Sequence, residues 1–289
     1  MLRYIISGLL GTSCAAVKGV CPGEWWDLAT DLQSWFIEEG ECTDAARAAI
    51  RLAFHDCFPG TCDGSMITTD ECGHRQENAQ MLGICLELGA RSQDYVLGAA
   101  DTIQLAAAVG LASCSGGPVI SFWAGRPDSF TESLRSALPS AETDAKTMVE
   151  MFAAKNFSKT ELVALIGAHT IGRKLDNKPM DTTINVWDNK FYTETAEHSA
   201  PASVQADTYL AEAGETSGEW KHMGESQENF MSAFIPAMEK LSLMGNDRSK
   251  MVDCSEVVKW YADTAPKRRR VLLKGGKLDG RFGGAFGGI

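Results

Sequence analysis

Arg51 and His55 stand four residues apart in the run Arg51-Leu-Ala-Phe-His-Asp-Cys-Phe-Pro-Gly-Thr-Cys-Asp-Gly-Ser65. On a helix, positions i and i+4 share a face. That face aims a fixed cation and a titratable base into one pocket, a pairing suited to proton transfer with charge stabilisation. Alone the pair is weak evidence, because such residues commonly sit on surfaces. Asp56, Asp63 and Ser65 follow at spacings that suit a calcium loop, since this hard cation takes several oxygen ligands. An acid–base pair joined to such a loop is much less expected by accident.

A second cluster surrounds His169. Of the five histidines, His198 and His222 fall in polar, loop-like stretches and His74 in a Cys- and charge-rich one, so all three read as surface residues. His169 closes an apolar stripe with Leu162, Leu165 and Ile166, which turns its side chain inward. A buried histidine bonded to the backbone is one reading of that position. Thr170, Asp181, Thr183 and Asp188 favour another, because they add a second set of hard oxygen donors beside it.

The elements that must position these residues are helical. Thr43 or Asp44 caps a helix running to His55, with Ala46, Ala49, Ile50, Ala53 and Phe54 on its inner side. Residues 94–111 read as a long Ala-rich helix, and 143–155 as another. Ser158-x-x-Glu161 is a capping box that opens the stripe ending at Gly172. Residues 227–244 read as an amphipathic helix with Phe230, Phe234, Met238 and Leu241 inward, kinked or interrupted by Pro236. Strand-like alternation is scarce and no internal repeat is visible, so the fold class is mainly α.

The ends of the chain set the expected compartment. Met1-Leu-Arg3, the apolar run Tyr4–Leu10 and the small residues Cys14-Ala-Ala16 read as a signal peptide over residues 1–16. Nine cysteines then become Cys21, Cys42, Cys57, Cys62, Cys72, Cys85, Cys114 and Cys254, with no Cys-x-x-Cys pair. An even count in a secreted chain favours four disulfides over a zinc site, although sequence does not fix their connectivity. Asn156-Phe-Ser158 is a glycosylation sequon. A formal charge of −11 speaks against nucleic acid as a partner. No stretch is long enough to cross a membrane. Residues 266–289, with Lys267-Arg-Arg-Arg270 and many glycines, read as a disordered, solvated tail, with proteolytic processing or an electrostatic tether as alternatives.

Four motifs, Arg51-Leu-Ala-Phe-His-Asp56, Gly125-Arg-Pro-Asp128, Gly167-Ala-His-Thr-Ile-Gly172 and Val252-Asp-Cys-Ser-Glu-Val257, resemble those of the secreted haem peroxidases. The likeness is to the plant, fungal and bacterial superfamily, and within it to the fungal secretory group of lignin, manganese and versatile peroxidases. It covers residues 21–258. It implies a haem-dependent peroxidase fold over residues 17–265, with ten or more helices in two subdomains, distal (17–140) and proximal (141–258), enclosing the haem. It also implies one haem b, two Ca²⁺ ions, hydrogen peroxide and small phenolic or dye donors as substrates, secretion, and a monomer.

Residue by residue, the resemblance makes Arg51 and His55 the distal pair, Phe54 the distal aromatic and Asn78 the partner that fixes the His55 tautomer and keeps its pKa low. His169 becomes the proximal iron ligand and Asp207 the carboxylate that accepts its ring proton. Asp56, Asp63, Ser65 and carbonyls near Pro59 and Thr61 become distal calcium ligands. Thr170, Asp181, Thr183, Asp188 and the Val186 carbonyl become the proximal ones. Glu71 matches the distal glutamate, with its spacing to Asn78 one residue longer than the family's. Cys42–Cys114 and Cys21–Cys254 follow the fungal disulfide pattern and Cys57–Cys62 the plant secretory one, which leaves Cys72 with Cys85. Gly218 replaces a cysteine of several fungal members.

The departures from the family bear on substrate. Positions that hold Mn²⁺ in manganese peroxidases are Asp44, Ala48 and Leu175 here, with Asp176 one residue late. The surface tryptophan of lignin and versatile types is replaced by Ala164. Neither Mn²⁺ oxidation nor a long-range route to bulky lignin is therefore expected, and the family becomes a generic low-potential one. Met180 stands where relatives place an aromatic on the proximal histidine, and Ser121 replaces a channel proline. Trp123 and Trp187 read as core residues rather than radical relays. A second reading is a secreted Ca²⁺- and haem-binding protein with little turnover, acting in interaction or signalling. A third is a disulfide and Ca²⁺ domain without haem.

Overall fold

The computed structural model describes residues 20–135, 137–174 and 176–266. The segment read as a signal peptide, nearly all of the segment read as a basic tail, and Leu175 lie outside the described residues. The first helices are α1 (Glu24–Phe36), α2 (Asp44–Cys57), α3 (Ser65–Thr68), α4 (Glu71–His74), α5 (Leu82–Asp94) and α6 (Ala99–Ser113). Then come α7 (Ala145–Ala153), α8 (Lys159–Ile166), α9 (Lys190–Ala196), α10 (Gln205–Glu212), α11 (Ser217–Glu225), α12 (Gln227–Ser242) and α13 (Ser255–Thr264). Strand is confined to two short antiparallel pairs, β1 (Ile37–Glu38) with β2 (Glu41–Cys42) and β3 (Trp123–Ala124) with β4 (Val252–Asp253). The mainly α expectation holds.

Helix α6 is the axis of the first half. All of its residues are buried, and α1, α2, α5 and α13 pack around it. An all-round apolar helix is stable only in such a sheath. Its contact with α2 is close because both helices present small residues. A Cβ added at Gly110 would lie 2.8 Å from the Ala46 carbonyl oxygen. The start of α6 is fastened by Asp128, whose carboxylate accepts from the backbone N–H of Ala99 and Ala100 at 2.9 and 2.8 Å. Beside it, Arg126 forms a buried pair with Asp101 at 2.7 Å and donates to the Ser242 carbonyl. The Gly125-Arg-Pro-Asp128 motif is thus a brace between α6 and the end of α12.

Helix α12 joins the two halves, packing on α8, α11 and α2. Phe230, Phe234, Met238 and Leu241 face inward, as the periodicity predicts. Of the two expected effects of Pro236, interruption does not occur: the helix continues through it. Burial of that aromatic face outweighs the single backbone hydrogen bond that proline removes.

Other boundaries also differ. The helix read over 94–111 is α6 at Ala99–Ser113, while Asp94 closes α5, and the one read over 143–155 is the shorter α7. Val96 adopts a left-handed conformation, with φ of 56°, in the turn between α5 and α6. A β-branched residue seldom does this, so no sequence signal marks the break. The capping boxes read from sequence are present: Ser158 and Glu161 bond reciprocally, and Thr43 caps α2 through the Ala46 N–H. Cys21–Cys254, Cys42–Cys114, Cys57–Cys62 and Cys72–Cys85 are the four disulfides.

Candidate active site

Helix α2 carries both distal residues near its C-terminal end. Leu52, Ala53, Asp56 and Cys57 are sealed, whereas Phe54 and His55 are only partly buried and Arg51 is accessible. His55 and Arg51 nonetheless lie deep enough for burial to shift both pKa values. Accessible surface on deeply set side chains means that they line a cleft. Phe54 was expected on the sealed side; it instead stacks on Phe58 at 4.8 Å and turns its other surface to that cleft.

The hydrogen bonds around His55 define its tautomer. Nδ1 lies 2.8 Å from the Asn78 side-chain oxygen, which can only accept, so Nδ1 carries the proton. Nε2 is unprotonated and accepts from Arg51 Nε at 3.3 Å. Arg51 is itself steadied by Gln80 Oε1 at 2.6 Å and the Glu77 carbonyl at 3.3 Å. Burial and the Arg51 charge push His55 down to about 3. Asn78 works in the opposite sense, because its oxygen stabilises a protonated ring. The expectation that Asn78 lowers this pKa is therefore wrong; its part is orientation.

Further along the chain, α8 ends at Ile166 and residues 167–171 tighten into a 3₁₀ turn. His169 sits on that turn rather than on a continuing α-helical stripe. Its Nδ1 lies 3.0 and 3.2 Å from the two carboxylate oxygens of Asp207, which is fully buried on α10. With Nδ1–H given to Asp207, Nε2 is left with a free lone pair, the arrangement of a metal-ligating histidine. Ile166, Ala168 and His169 are partly accessible between buried neighbours. A partly accessible His169 with Nε2 unprotonated, beside the apolar Ile166 and Ala168, suits a ligand to the metal of a flat apolar group.

The ring packed against His169 is Phe191, edge-on at 5.7 Å, a contact the sequence reading missed. Met180 was assigned that neighbourhood. It is buried beside Gly172, to whose carbonyl its backbone N–H donates at 3.1 Å. Trp187 stacks on Phe230 in the core, and the half-buried Trp123 lies under Arg248 at 4.0 Å, so both are packing residues. His74, His198 and His222 are all exposed, the first beside Glu132.

The two oxygen clusters assemble as well. In the first, Asp56 accepts from the Gly64 N–H at 3.1 Å and Asp63 from the Ser65 N–H at 3.1 Å. Asp56 Oδ1 and Ser65 Oγ are buried without a partner. Burial, with Asp63 and Glu71 nearby, pushes the Asp56 carboxyl up to about 8. A hard cation would satisfy both orphaned oxygens. Thr61 turns its hydroxyl to the Met244 carbonyl, leaving only its own carbonyl for a ligand role. In the second cluster, Asp181 accepts from Thr170 Oγ1 at 2.6 Å and the Thr183 N–H at 2.7 Å, and Thr183 Oγ1 donates to Asp188 at 3.1 Å. Burial pushes Asp181 up to about 6. Val186 lies in the same loop, pinned by a bridge to Ser115.

Comparison with known proteins gives the family of the chain. The peroxidase family model matches residues 28–226, and that of the fungal peroxidase extension region matches residues 229–271. The chain is 28% identical over 272 residues to a peroxidase of Arthromyces ramosus, spanning 81% of this chain and 75% of that protein. It is 29% identical to manganese peroxidase H4 of Phanerodontia chrysosporium, over 80% and 72% of the two chains. It is 30% identical to a low-redox potential peroxidase of Taiwanofungus camphoratus, over 81% and 77%.

Proposed function

The chain belongs to the peroxidase family, on its fungal branch, and from that premise we propose a secreted enzyme that uses His55 and Arg51 to split hydrogen peroxide and oxidises small phenolic or dye donors. Haem and hydrogen peroxide come with the family. When bound, the haem takes up both oxidising equivalents of the peroxide and passes them to donors one electron at a time. The observation that carries the reading is the His55 tautomer, whose Nδ1–H donates to the Asn78 side-chain oxygen and whose unprotonated Nε2 lies beside Arg51.

His55 Nε2 takes a proton from hydrogen peroxide and returns it to the departing oxygen, help worth roughly 10²–10⁴-fold. Arg51 Nη groups stabilise the negative charge on that oxygen as the O–O bond breaks. His169 Nε2 would hold the haem iron. Asp207 accepts the Nδ1 proton and would make the imidazole more electron-donating, which favours the cleavage. Phe54 lies beside His55. Asp56, Asp63, Ser65 and the Thr61 carbonyl would hold one Ca²⁺, and Thr170, Asp181, Thr183, Asp188 and the Val186 carbonyl would hold the other. Each ion would brace one histidine-bearing segment.

Four disulfides support an oxidising compartment. The acidic charge of −11 argues against nucleic acid, and among the described residues no single helix is long and apolar enough to cross a membrane. We read the working form as a monomer bearing glycan at Asn156, which is exposed. The deciding experiment is a stopped-flow peroxide reaction with guaiacol or ABTS on wild type and His55→Leu. Loss of the rate in the variant, with its Soret band retained, is expected. A variant of undiminished rate would reject His55 as the base.

A further inference from the structure

Arg75 touches none of the reacting groups, yet it is only 4% exposed and its guanidinium is held at four points. Nη1 donates to Glu71 Oε2 at 2.8 Å and Ser133 Oγ at 2.9 Å. Nη2 donates to Glu132 Oε2 at 3.0 Å and the Ser133 carbonyl at 2.7 Å. Glu71 is 1% exposed, and its carboxylate also accepts from the Ser133 N–H and hydroxyl, both at 2.7 Å. The pair thus locks α4 to the loop before α7.

The lock leads to the catalytic base. The Glu71 backbone carbonyl accepts from the Arg75 N–H at 3.2 Å and from Asn78 Nδ2 at 3.3 Å. The Asn78 amide has one further acceptor, the Met66 sulfur at 3.4 Å, which is a weak one. Its oxygen then faces His55 Nδ1 at 2.8 Å. Arg75 itself is extended between α4 and the 3₁₀ turn Gln76–Met81, which absorbs the extra residue between Glu71 and Asn78.

We propose that Arg75 is a positioning residue for peroxide cleavage: by fixing Glu71 it fixes the Asn78 amide, and through it the orientation and tautomer of His55. The proposal rests on His55 being the base. A purely structural buried ion pair would stabilise the fold without influencing His55 in molecules that remain folded. The fork geometry matters for the same reason. Lysine would keep the charge and lose the simultaneous grip on Glu71, Glu132 and Ser133.

The test compares wild type, Arg75→Met, Arg75→Lys, Asn78→Ala, the Arg75→Met/Asn78→Ala pair and His55→Leu in the haem-loaded protein. The readouts are the second-order rate with hydrogen peroxide, the rate of the donor step, and the exchangeable NMR resonance of the His55 Nδ1 proton. Small displacements of a catalytic group cost up to about 10²-fold, so Arg75→Met should slow the peroxide step roughly 10- to 100-fold and leave the donor step alone. The His55 resonance should shift or broaden, and Arg75→Lys should recover part of the rate. In the Asn78→Ala background Arg75→Met should add nothing, because the coupled path is already cut. If Arg75→Met does not fold, Arg75→Lys carries the same comparison in that background. Additive effects, or a folded Arg75 variant with wild-type rate and resonance, would overturn the positioning role while leaving the base intact. A His55→Leu protein of wild-type rate would overturn both.

Discussion

Asp207 is fully buried, and both of its carboxylate oxygens lie within hydrogen-bonding distance of His169 Nδ1, at 3.0 and 3.2 Å. A buried carboxylate aimed at one ring nitrogen fixes which nitrogen is free on the other side of the ring. Asp207→Asn keeps the shape and removes the charge. Outer-shell changes of this kind cost about 10–100-fold in activity or metal affinity. The peroxide rate should fall by that factor in stopped-flow, with helical circular dichroism unchanged. An unchanged rate would detach Asp207 from the proposed role.

The second prediction concerns acid. Burial and the neighbouring Arg51 hold His55 near 3, below its ordinary 6.5. A base acts when unprotonated, so the peroxide rate should be flat well into the acidic range and decline only as pH falls through about 3. Arg51→Leu removes one of the two causes, so its acid limb should move upward in pH even though its plateau is lower. The same shift has a sign for stability. The unfolded chain protonates this ring near 6.5 and the folded one near 3, so its contribution is complete above 6.5 and lost as pH falls between them. A wild-type rate profile bending near pH 6 would contradict the environment described for His55.

Calcium removal gives a third test. Asp56 Oδ1 and Ser65 Oγ are buried and unpartnered, and they face a role that only a ligand from outside the chain can fill. Chelation should lower the melting temperature, and Ca²⁺ should restore it, with about 2.7 kcal/mol of stabilisation at a hundredfold excess over Kd. In the cation-free protein Asp56 titrates near 8, above the usual carboxylate range. Its contribution to stability is then present at low pH and lost as pH rises through about 8, so the effect of chelation should grow toward alkaline pH. A melting temperature indifferent to chelator in both wild type and Asp56→Ala would remove calcium from this loop.

The Arg126–Asp101 brace yields a fourth. Both residues are 5% exposed. Breaking one side of a buried pair leaves an uncompensated charge and costs about 3–5 kcal/mol. Arg126→Ala should shift the urea midpoint accordingly, and Arg126→Ala/Asp101→Asn should lose less than the single variant. Equal midpoints for the wild type and the single variant would show that the pair is dispensable.

Much of the catalytic geometry was legible because it is written in local spacings. Arg51 and His55 are one helical turn apart, and the Ser158 box fixes the start of the helix that delivers His169. Asp207 and the four disulfides came only through the family likeness, since no local signal links residues so far apart in the chain. What stayed hidden depends on tertiary placement. Phe191 reaches His169 from another helix, and the Arg75 fork joins two loops through Ser133 and Glu132. The break at Val96 was invisible because its residues carry helix-like apolar character. Only the pKa part of the role given to Asn78 failed, for an electrostatic reason: an amide oxygen aimed at an N–H stabilises the protonated ring.

Manganese supplies the last prediction. Asp44, the one carboxylate kept at a matching position, lies 2.8 Å from Arg47 Nη1 and 3.4 Å from Arg173 Nε. Two guanidiniums compete with any cation for it. Ala48 offers no oxygen, and among the described residues no group of three or more His, Cys, Asp or Glu side chains is arranged to hold a metal. Ala164, at the position of the lignin-type surface tryptophan, is buried, and its carbonyl accepts from the Tyr192 hydroxyl at 3.3 Å, so the tryptophan route is not expected either. A hard divalent ion wants several carboxylates together. Mn²⁺ should therefore be oxidised without saturation in the micromolar range, while ABTS and guaiacol turn over readily. Ala48→Glu alone should not change this, because the new carboxylate would meet Asp44 already paired with arginine. Adding Arg173→Ala should begin to release Asp44 and produce curvature in the Mn²⁺ dependence. A saturable wild-type Mn²⁺ curve at micromolar concentrations would show that these residues hold the ion in another way.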